Sequence, residues 1–382
     1  MKQAMQIRLF AHSWISDWNH GNAHFLRGLA RELVRMGHEV RCYEELGGWS
    51  LSNLEQEGEV AARAINGFHA SYPELDVYFY RRDEGLPAFL NHELAGADLV
   101  LIHEWNEPEV VQEILGRKKR MGFRALFHDT HHRAYSNADQ ILRFPLHLFD
   151  GVLAFGEAIR RIYADGFGVA RAWTFHEAAD VSVFHPLERP QRNDVVWIGN
   201  WGDEERTGEL MEFLVEPAGR LTAGNIAAEE AAVAKRVLVH GVRYPREARE
   251  TLRRSGIEYG GYLPNLDAPA VYAESRVALH VPRRQYANGL SGVPTIRVFE
   301  VLACGIPLVC APWSDTEGLF RAGEDYLVAR DGREMSALLA ELLQSESNRR
   351  TLAASGLETI RRHHTCRHRA EQLMEICGEI TG

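Results

Sequence analysis

Short apolar, β-branched runs alternate with amphipathic helical stretches from one end of the chain to the other, and this rhythm constrains the fold more than any other feature. Ile7–Ala11, Glu39–Tyr43, Val77–Tyr80, Leu99–His103, Ala125–His128, Gly151–Phe155 and Ala172–Phe175 read as strands. Helical patterns separate them, as in His24–Met36, where Phe25, Leu29, Leu33 and Met36 share a face and Gly37 closes the helix. Strands separated by helices of this length build βαβ units, and hence a parallel sheet covered on both sides. Phe184–Asn193 (FHPLERPQRN) interrupts the rhythm with two prolines and reads as a linker. Beyond it, strands are expected at Val195–Ile198, Val237–His240, Ala278–Val281, Leu308–Cys310 and Tyr326–Val328. Helices are expected at Thr207–Leu221, Arg246–Arg254, Pro269–Glu274 and Thr295–Ala303, with a largely helical C-terminus. The fold class is α/β, with two Rossmann-like, doubly wound domains facing a central cleft. The predicted boundaries are 1–188 and 189–364, followed by a helix over 365–382 that packs back on the first domain.

Composition excludes several function classes. A hydrophobic content of 45% and a charged content of 25% rule out disordered and fibrous proteins. With 43 Lys+Arg against 53 Asp+Glu, the net charge of −10 argues against general binding of nucleic acid. No apolar run approaches a membrane span, and the N-terminus lacks the apolar core of a secretory leader. Cys42, Cys304, Cys310, Cys366 and Cys377 are odd in number and contain no C-x-x-C pair, which suits a reducing cytoplasm.

The second half carries the sharpest local signal, Thr295–Pro307 (TIRVFEVLACGIP). Arg297 and Glu300 are three apart and share a helix face, so they form either an intrahelical ion pair or a cation and carboxylate presented to a cleft. Three loops at one predicted sheet edge combine glycine with arginine. VVWIGNWGDEER carries Gly199, Asn200, Gly202 and Arg206; VHGVRY carries Arg243; RRQYANGLSGVP carries Gly292 and leads through Pro294 to Thr295. Free amides and a positive helix end make such loops anion sites. Only four lysines exist, Lys2, Lys118, Lys119 and Lys235, so arginine has to neutralise any bound diphosphate.

In the first half, HSWISDWNHGN links the first strand to the first helix and contains Gly21. His103 and Glu104 end another strand, and Glu104 either binds or deprotonates acceptor hydroxyls or is a solvated loop acid. His128 ends a third strand and is followed by Asp129, His131 and His132, a group that invites a metal reading. Arg117–Arg120 (RKKR) either complements a helix's negative end or forms a membrane-surface patch. His363, His364, Cys366 and His368 read as surface sequence on the terminal helices.

These motifs resemble the group-1 glycosyltransferases of GT-B fold over nearly the whole chain, with the second half most similar to the CgeB-like branch. LVLIHEWNE with LFHDT resembles the strand ends lining the acceptor side in phosphatidylinositol mannosyltransferases and their relatives. Asp180, Phe184 and Pro186 resemble the family's Asp-x-x-x-Phe-x-Pro approach to the linker. The resemblance implies transfer of a sugar from a nucleotide-diphosphate sugar to a glycan, lipid or small-molecule acceptor, metal-independent and retaining, with no cofactor and with UDP, GDP and dTDP all open as donor nucleotide. It implies Glu300 at the donor ribose. Arg206, Arg243 and Arg297 fall around the diphosphate with Gly21, Gly199, Asn200, Gly292 and Thr295, and His128 is the active-site histidine beside Glu104. It implies no metal site, with His131 and His132 as loop or acceptor-lining residues. Two departures stand out: the first acid of the family's E-x7-E motif is Gly292 here, and the usual Lys beside Arg206 is absent, with Arg243 as substitute. A nucleotide-sugar 2-epimerase and a non-catalytic sugar-nucleotide binding protein are the alternatives. The expected location is the cytoplasm, with peripheral contact to the inner membrane face left open.

Overall fold

The structure is a computed structural model that describes residues 4–202, 204–223 and 235–381; Lys2 lies outside them. Seven strands appear in the first half: β1 (Gln6–Phe10), β2 (Glu39–Glu45), β3 (Asp76–Tyr80), β4 (Leu99–His103), β5 (Arg124–Asp129), β6 (Gly151–Ala154) and β7 (Ala172–Thr174). They pair in parallel in the order β3-β2-β1-β4-β5-β6-β7. The second half contributes β8 (Asn193–Ile198), β9 (Val237–His240), β10 (Ile257–Tyr259), β11 (Ser275–His280), β12 (Leu308–Cys310) and β13 (Leu327–Val328). These are again parallel, in the order β10-β9-β8-β11-β12-β13. The central strands β4 and β12 are buried along their whole length, as covered parallel strands must be.

Both sheets reverse their winding once, between β1 and β4 and between β8 and β11. In doubly wound sheets ligands bind outside the carboxyl ends of the strands at such a reversal. The fold therefore directs attention to the segments after β1, β4, β8 and β11.

The chain divides into two compact units, Met1–Asp180 with Thr365–Gly382, and Val181–His364. The division lies at Asp180 rather than at residue 188. Asp180 accepts hydrogen bonds from Arg31 (3.2 Å) and the Tyr72 hydroxyl (3.1 Å), which tie it to the first unit. Pro186, by contrast, packs beside Gly305 of the second unit. The helix Cys366–Thr381 belongs to the first unit: the Cys366 amide donates to the Ala179 carbonyl, and Gln372 donates to that of Thr174. All five cysteines are free and buried. Among the described residues, no helix is long and apolar enough to cross a membrane.

Candidate functional site

In the second unit, the segment after β8 is fixed by its own polar groups. Arg206 is 8% exposed, lies over the Trp197 ring at 5.0 Å, and donates to the carbonyls of Val281 (3.0 Å) and Asn200 (2.6 Å). Gly202 makes this possible, since at φ +93° a Cβ there would come within 2.7 Å of Arg206 Cγ. Asn200 Oδ1 accepts from the Val242 amide, and the Gly199 carbonyl accepts from the Tyr244 hydroxyl. The loops carrying Gly199, Asn200 and Arg243 thus form one connected edge. Arg243 is exposed and holds a left-handed backbone, φ +62°. Among the described residues, the other non-glycine residues in that region are Asn19 and Glu204, and all three fall in the loops singled out from the sequence. Such backbone strain concentrates at functional sites.

The helix Ile296–Ala303 places Glu300 at 0% exposure. Its carboxylate pairs with Arg297 and accepts from Asn265 Nδ2 (3.1 Å) and the Tyr272 hydroxyl (3.4 Å). Burial opposes the charge on Arg297, yet Glu300 and Tyr272 outweigh it and raise the guanidinium pKa. Thr295 sits at the N-cap without capping the helix; its hydroxyl instead meets His280 Nε2 at 3.2 Å. No acidic residue occupies the first turn. The amides of that turn therefore keep their positive end unopposed by side-chain oxygens. His280 is held neutral, its pKa lowered to about 3 by burial and then by the charges of Arg206 and Arg297. Of the three expected arginines, Arg206 is anchored on the carbonyl of Val281, next to His280, Arg297 lies in the first turn of the helix whose N-cap meets His280, and Arg243 lies on the adjoining exposed loop.

Gly292 adopts φ +88°, and its amide donates to the Ser314 carbonyl. A Cβ there would come within 2.5 Å of Thr316 Oγ1 and 2.8 Å of Glu317 Cγ. The direction a side chain would take from residue 292 is already occupied by the Glu317 arm.

In the first unit, the segment after β1 is gripped from both sides. The buried Glu44 carboxylate accepts from the amides of Trp14 and Ile15 and from the Ser13 hydroxyl, while Arg27 donates to the carbonyls of Trp14 and Ile15. Gly21 is exposed in the turn that follows. Thr130 is the hub beyond: its hydroxyl lies 2.6 Å from Asn22 Nδ2 and 2.9 Å from His103 Nε2. Glu104 is fully buried. One oxygen accepts from the Thr130 amide at 2.8 Å, and the other from Arg133 Nε and Nη2 at 3.1 and 2.8 Å. No edge of this carboxylate faces solvent, so it is not the solvated loop acid that the sequence left open. Asp129 beside it is pushed well above the usual carboxylate range by burial and by the charge of Glu104. His128 stands in register with His103 on the neighbouring strand, enclosed by Phe25 and Phe175. Burial lowers its pKa to about 3. His12, His20 and His103 are likewise held neutral by burial.

Sequence reasoning missed His280 and gave no role to the side chains of Asn265 and Thr130. His280 had a signal, since it ends a strand as His128 does. The other two gain their place only through contacts across strands. His364 and Cys366 are buried, not surface residues: His364 Nε2 meets the Leu319 carbonyl, and Cys366 Sγ lies 3.8 Å from the Phe25 and Ala178 carbonyls. Much of the Arg117–Arg120 run is engaged locally, Arg117 with Glu113, Arg120 with Asn91 and Lys118 with Asp150. Among the described residues, no three His, Cys, Asp or Glu side chains are arranged to hold a metal ion.

Comparison with known proteins identifies this architecture. Residues 206–375 match the family described as glycosyl transferase-like. O-antigen chain mannosyltransferase B of Escherichia coli is 32% identical over 108 residues, 28% of this chain and 26% of that enzyme, so about a quarter of the relative's length is aligned. Anabaena HepE, solved with UDP and glucose, superposes with a TM-score of 0.67 at 13% identity, covering 98% of this chain and 99% of HepE. Sucrose-phosphate synthase from Thermosynechococcus elongatus gives a TM-score of 0.63 at 12% identity, covering 99% of each chain. The chain therefore has the fold of GT-B glycosyltransferases.

Proposed function

We propose that the protein transfers a sugar from a nucleotide-diphosphate sugar to an acceptor hydroxyl, with retention of configuration and without a metal. The observation that carries this reading is the uncapped N-terminus of the helix Ile296–Ala303, whose first turn holds Arg297, whose N-cap Thr295 meets His280, and beside which Arg206 is fixed on the Val281 carbonyl. Unopposed amides and two guanidinium groups suit a diphosphate and meet the charge that grows on it as it departs. Glu300 takes the ribose hydroxyls, and the Tyr272 hydroxyl at 3.4 Å is the contact that gives way most easily. Gly199, Asn200 and Gly292 supply close backbone approach, Arg243 adds a cation, and Gly21 lies on the segment after β1. HepE was solved with UDP, which makes UDP the first nucleotide to test.

In the transfer, the bond from sugar C1 to the diphosphate oxygen breaks and C1 bonds to the acceptor oxygen. Glu104 is saturated and His128 enclosed, so the departing diphosphate oxygen takes the acceptor proton. Both residues then act by positioning: Glu104 through Arg133 and Thr130, and His128 through the rings around it. Because residue 292 carries no acid, Glu317 presents the carboxylate at that side of the donor sugar. Free cysteines fit a cytoplasmic location.

Calorimetry with UDP, GDP and dTDP tests the donor site. Glu300→Ala is expected to weaken the preferred nucleotide by about tenfold or more, because a buried polar contact left unmade costs ~1–3 kcal/mol. Glu300→Gln, which keeps the shape, controls for loss of fold. Unchanged affinity in both variants removes the assignment. Turnover that survives chelation supports the metal-free part.

A further inference from the structure

The carboxyl edge of the first sheet carries a row of aromatic rings that the donor chemistry does not use. β2, β1, β4 and β5 are consecutive neighbours in the sheet, and the segment after each contributes one ring: Trp49, His12, Trp105 and His131. Trp49 stacks on His12 at 5.4 Å with only 7° between the planes. His12 lies 6.3 Å from Trp105, and Trp105 lies 5.2 Å from His131. Trp49 nonetheless remains 40% exposed, an unusual position for an indole.

This exposure is built rather than accidental. Trp49 opens a helix directly after Gly48, where a Cβ would come 3.3 Å from the Glu45 carbonyl. Ser50, the next residue, is bound to Ser16 by paired hydroxyls 2.9 Å apart and donates to the Trp18 carbonyl. The Trp18 ring meets Trp49 edge-on at 6.3 Å. At the other end, Arg133 stacks over Trp105 at 3.8 Å while its charge is taken up by Glu104.

We propose that this row is an acceptor subsite for a neutral saccharide, whose ring faces lie on Trp49 and Trp105; the inference rests on the glycosyltransferase reading above. The C–H face of a pyranose is slightly positive and suits the negative face of an indole. His12 Nδ1, within the row itself, is buried and without a hydrogen-bond partner, and a sugar hydroxyl satisfies it where an acyl chain does not. Arg133, the guanidinium stacked on the row, is neutralised by Glu104, and the chain carries a net charge of −10, both of which disfavour a phosphate backbone or an anionic headgroup.

The test uses the full chain without nucleotide. Saturation-transfer NMR and calorimetry with maltotriose, mannotriose and chitotriose are expected to show binding of at least one, with transfer strongest at the ring C–H protons. Trp49→Ala and Trp105→Ala each weaken it about tenfold, Trp49→Phe retains most of it, and UDP affinity is unchanged in all three. Failure of all three saccharides to bind, or equal binding by Trp49→Ala, overturns the proposal, as does binding only to anionic vesicles or oligonucleotides. UDP binding with no saccharide binding sinks this inference alone, whereas loss of UDP binding in the unaltered protein sinks the glycosyltransferase reading.

Discussion

Gly292 and Glu317 show how a single position redistributes chemistry. A glutamate at 292 would have to adopt φ +88° and displace both Thr316 and Glu317. The space is filled instead by a side chain that reaches it from the segment after β12. If Glu317 is the carboxylate beside the donor sugar, Glu317→Gln removes charge and keeps shape. We expect kcat to fall about 10²-fold, the scale seen when one stabilising group is lost from a transition state. The KM for the nucleotide sugar changes little, because the nucleotide is held elsewhere. Steady-state kinetics check this split: an unchanged kcat, or a rise in KM alone, assigns Glu317 to binding or to the loop. Arg206 illustrates the opposite case, a guanidinium whose two carbonyl partners and indole support fix it before any ligand arrives.

Element by element, the alternation of apolar runs and helical faces was sufficient to locate twelve of the thirteen strands. The exception is β10, entered from Gly256 at φ +69°, where the central Glu258 interrupts the apolar run that marks the equally short β12 and the shorter β13. Pairs within one helix, such as Arg297 with Glu300, were legible because spacing alone puts them on one face. Thr130, His280 and Trp49 were not, because each acquires its partners from another strand's loop, and strand order is absent from local periodicity. The packing of the terminal helix is similar. Its Cys366 Sγ and Asp180 Cβ would each lie 2.6 Å from a Cβ at Gly28, in the middle of the helix Ala23–Arg35. Gly28→Ala improves helix propensity by about 1 kcal/mol, yet overpacks a contact that has no slack. The net expectation is a loss of about 1–3 kcal/mol, read as a lower denaturation midpoint in urea, with Gly37→Ala as a left-handed surface comparison that creates no new contact. A stabilised Gly28→Ala would show that the terminal helix is not held at this point.

Across the whole molecule, buried neutral imidazoles are distributed unequally. The first unit contains His12, His20, His103 and His128, and the second contains His280 and the less deeply buried His240. For His12, His128 and His280 the folded pKa is about 3 against an unfolded value near 6.5. Between those values the unfolded chain binds more protons, so the stability these groups contribute is complete above pH ~6.5 and is lost as pH falls towards 3. Each contributes a slope of up to about 1.4 kcal/mol per pH unit. Asp129 and Glu44, with their pKa values raised by burial, work the other way, favouring the folded state at low pH and losing that contribution as pH rises through their folded values. Two such groups do not offset four imidazoles. Calorimetric scans from pH 7.5 to 5 are therefore expected to move the transition of the first unit down faster than that of the second. His128→Leu, which removes one titrating ring from a site bounded by Phe25 and Phe175, should flatten the first unit's slope by about one proton. Parallel transitions, or a slope unaltered by His128→Leu, would mean that these rings open to water on the path to unfolding and that acid lability arises elsewhere.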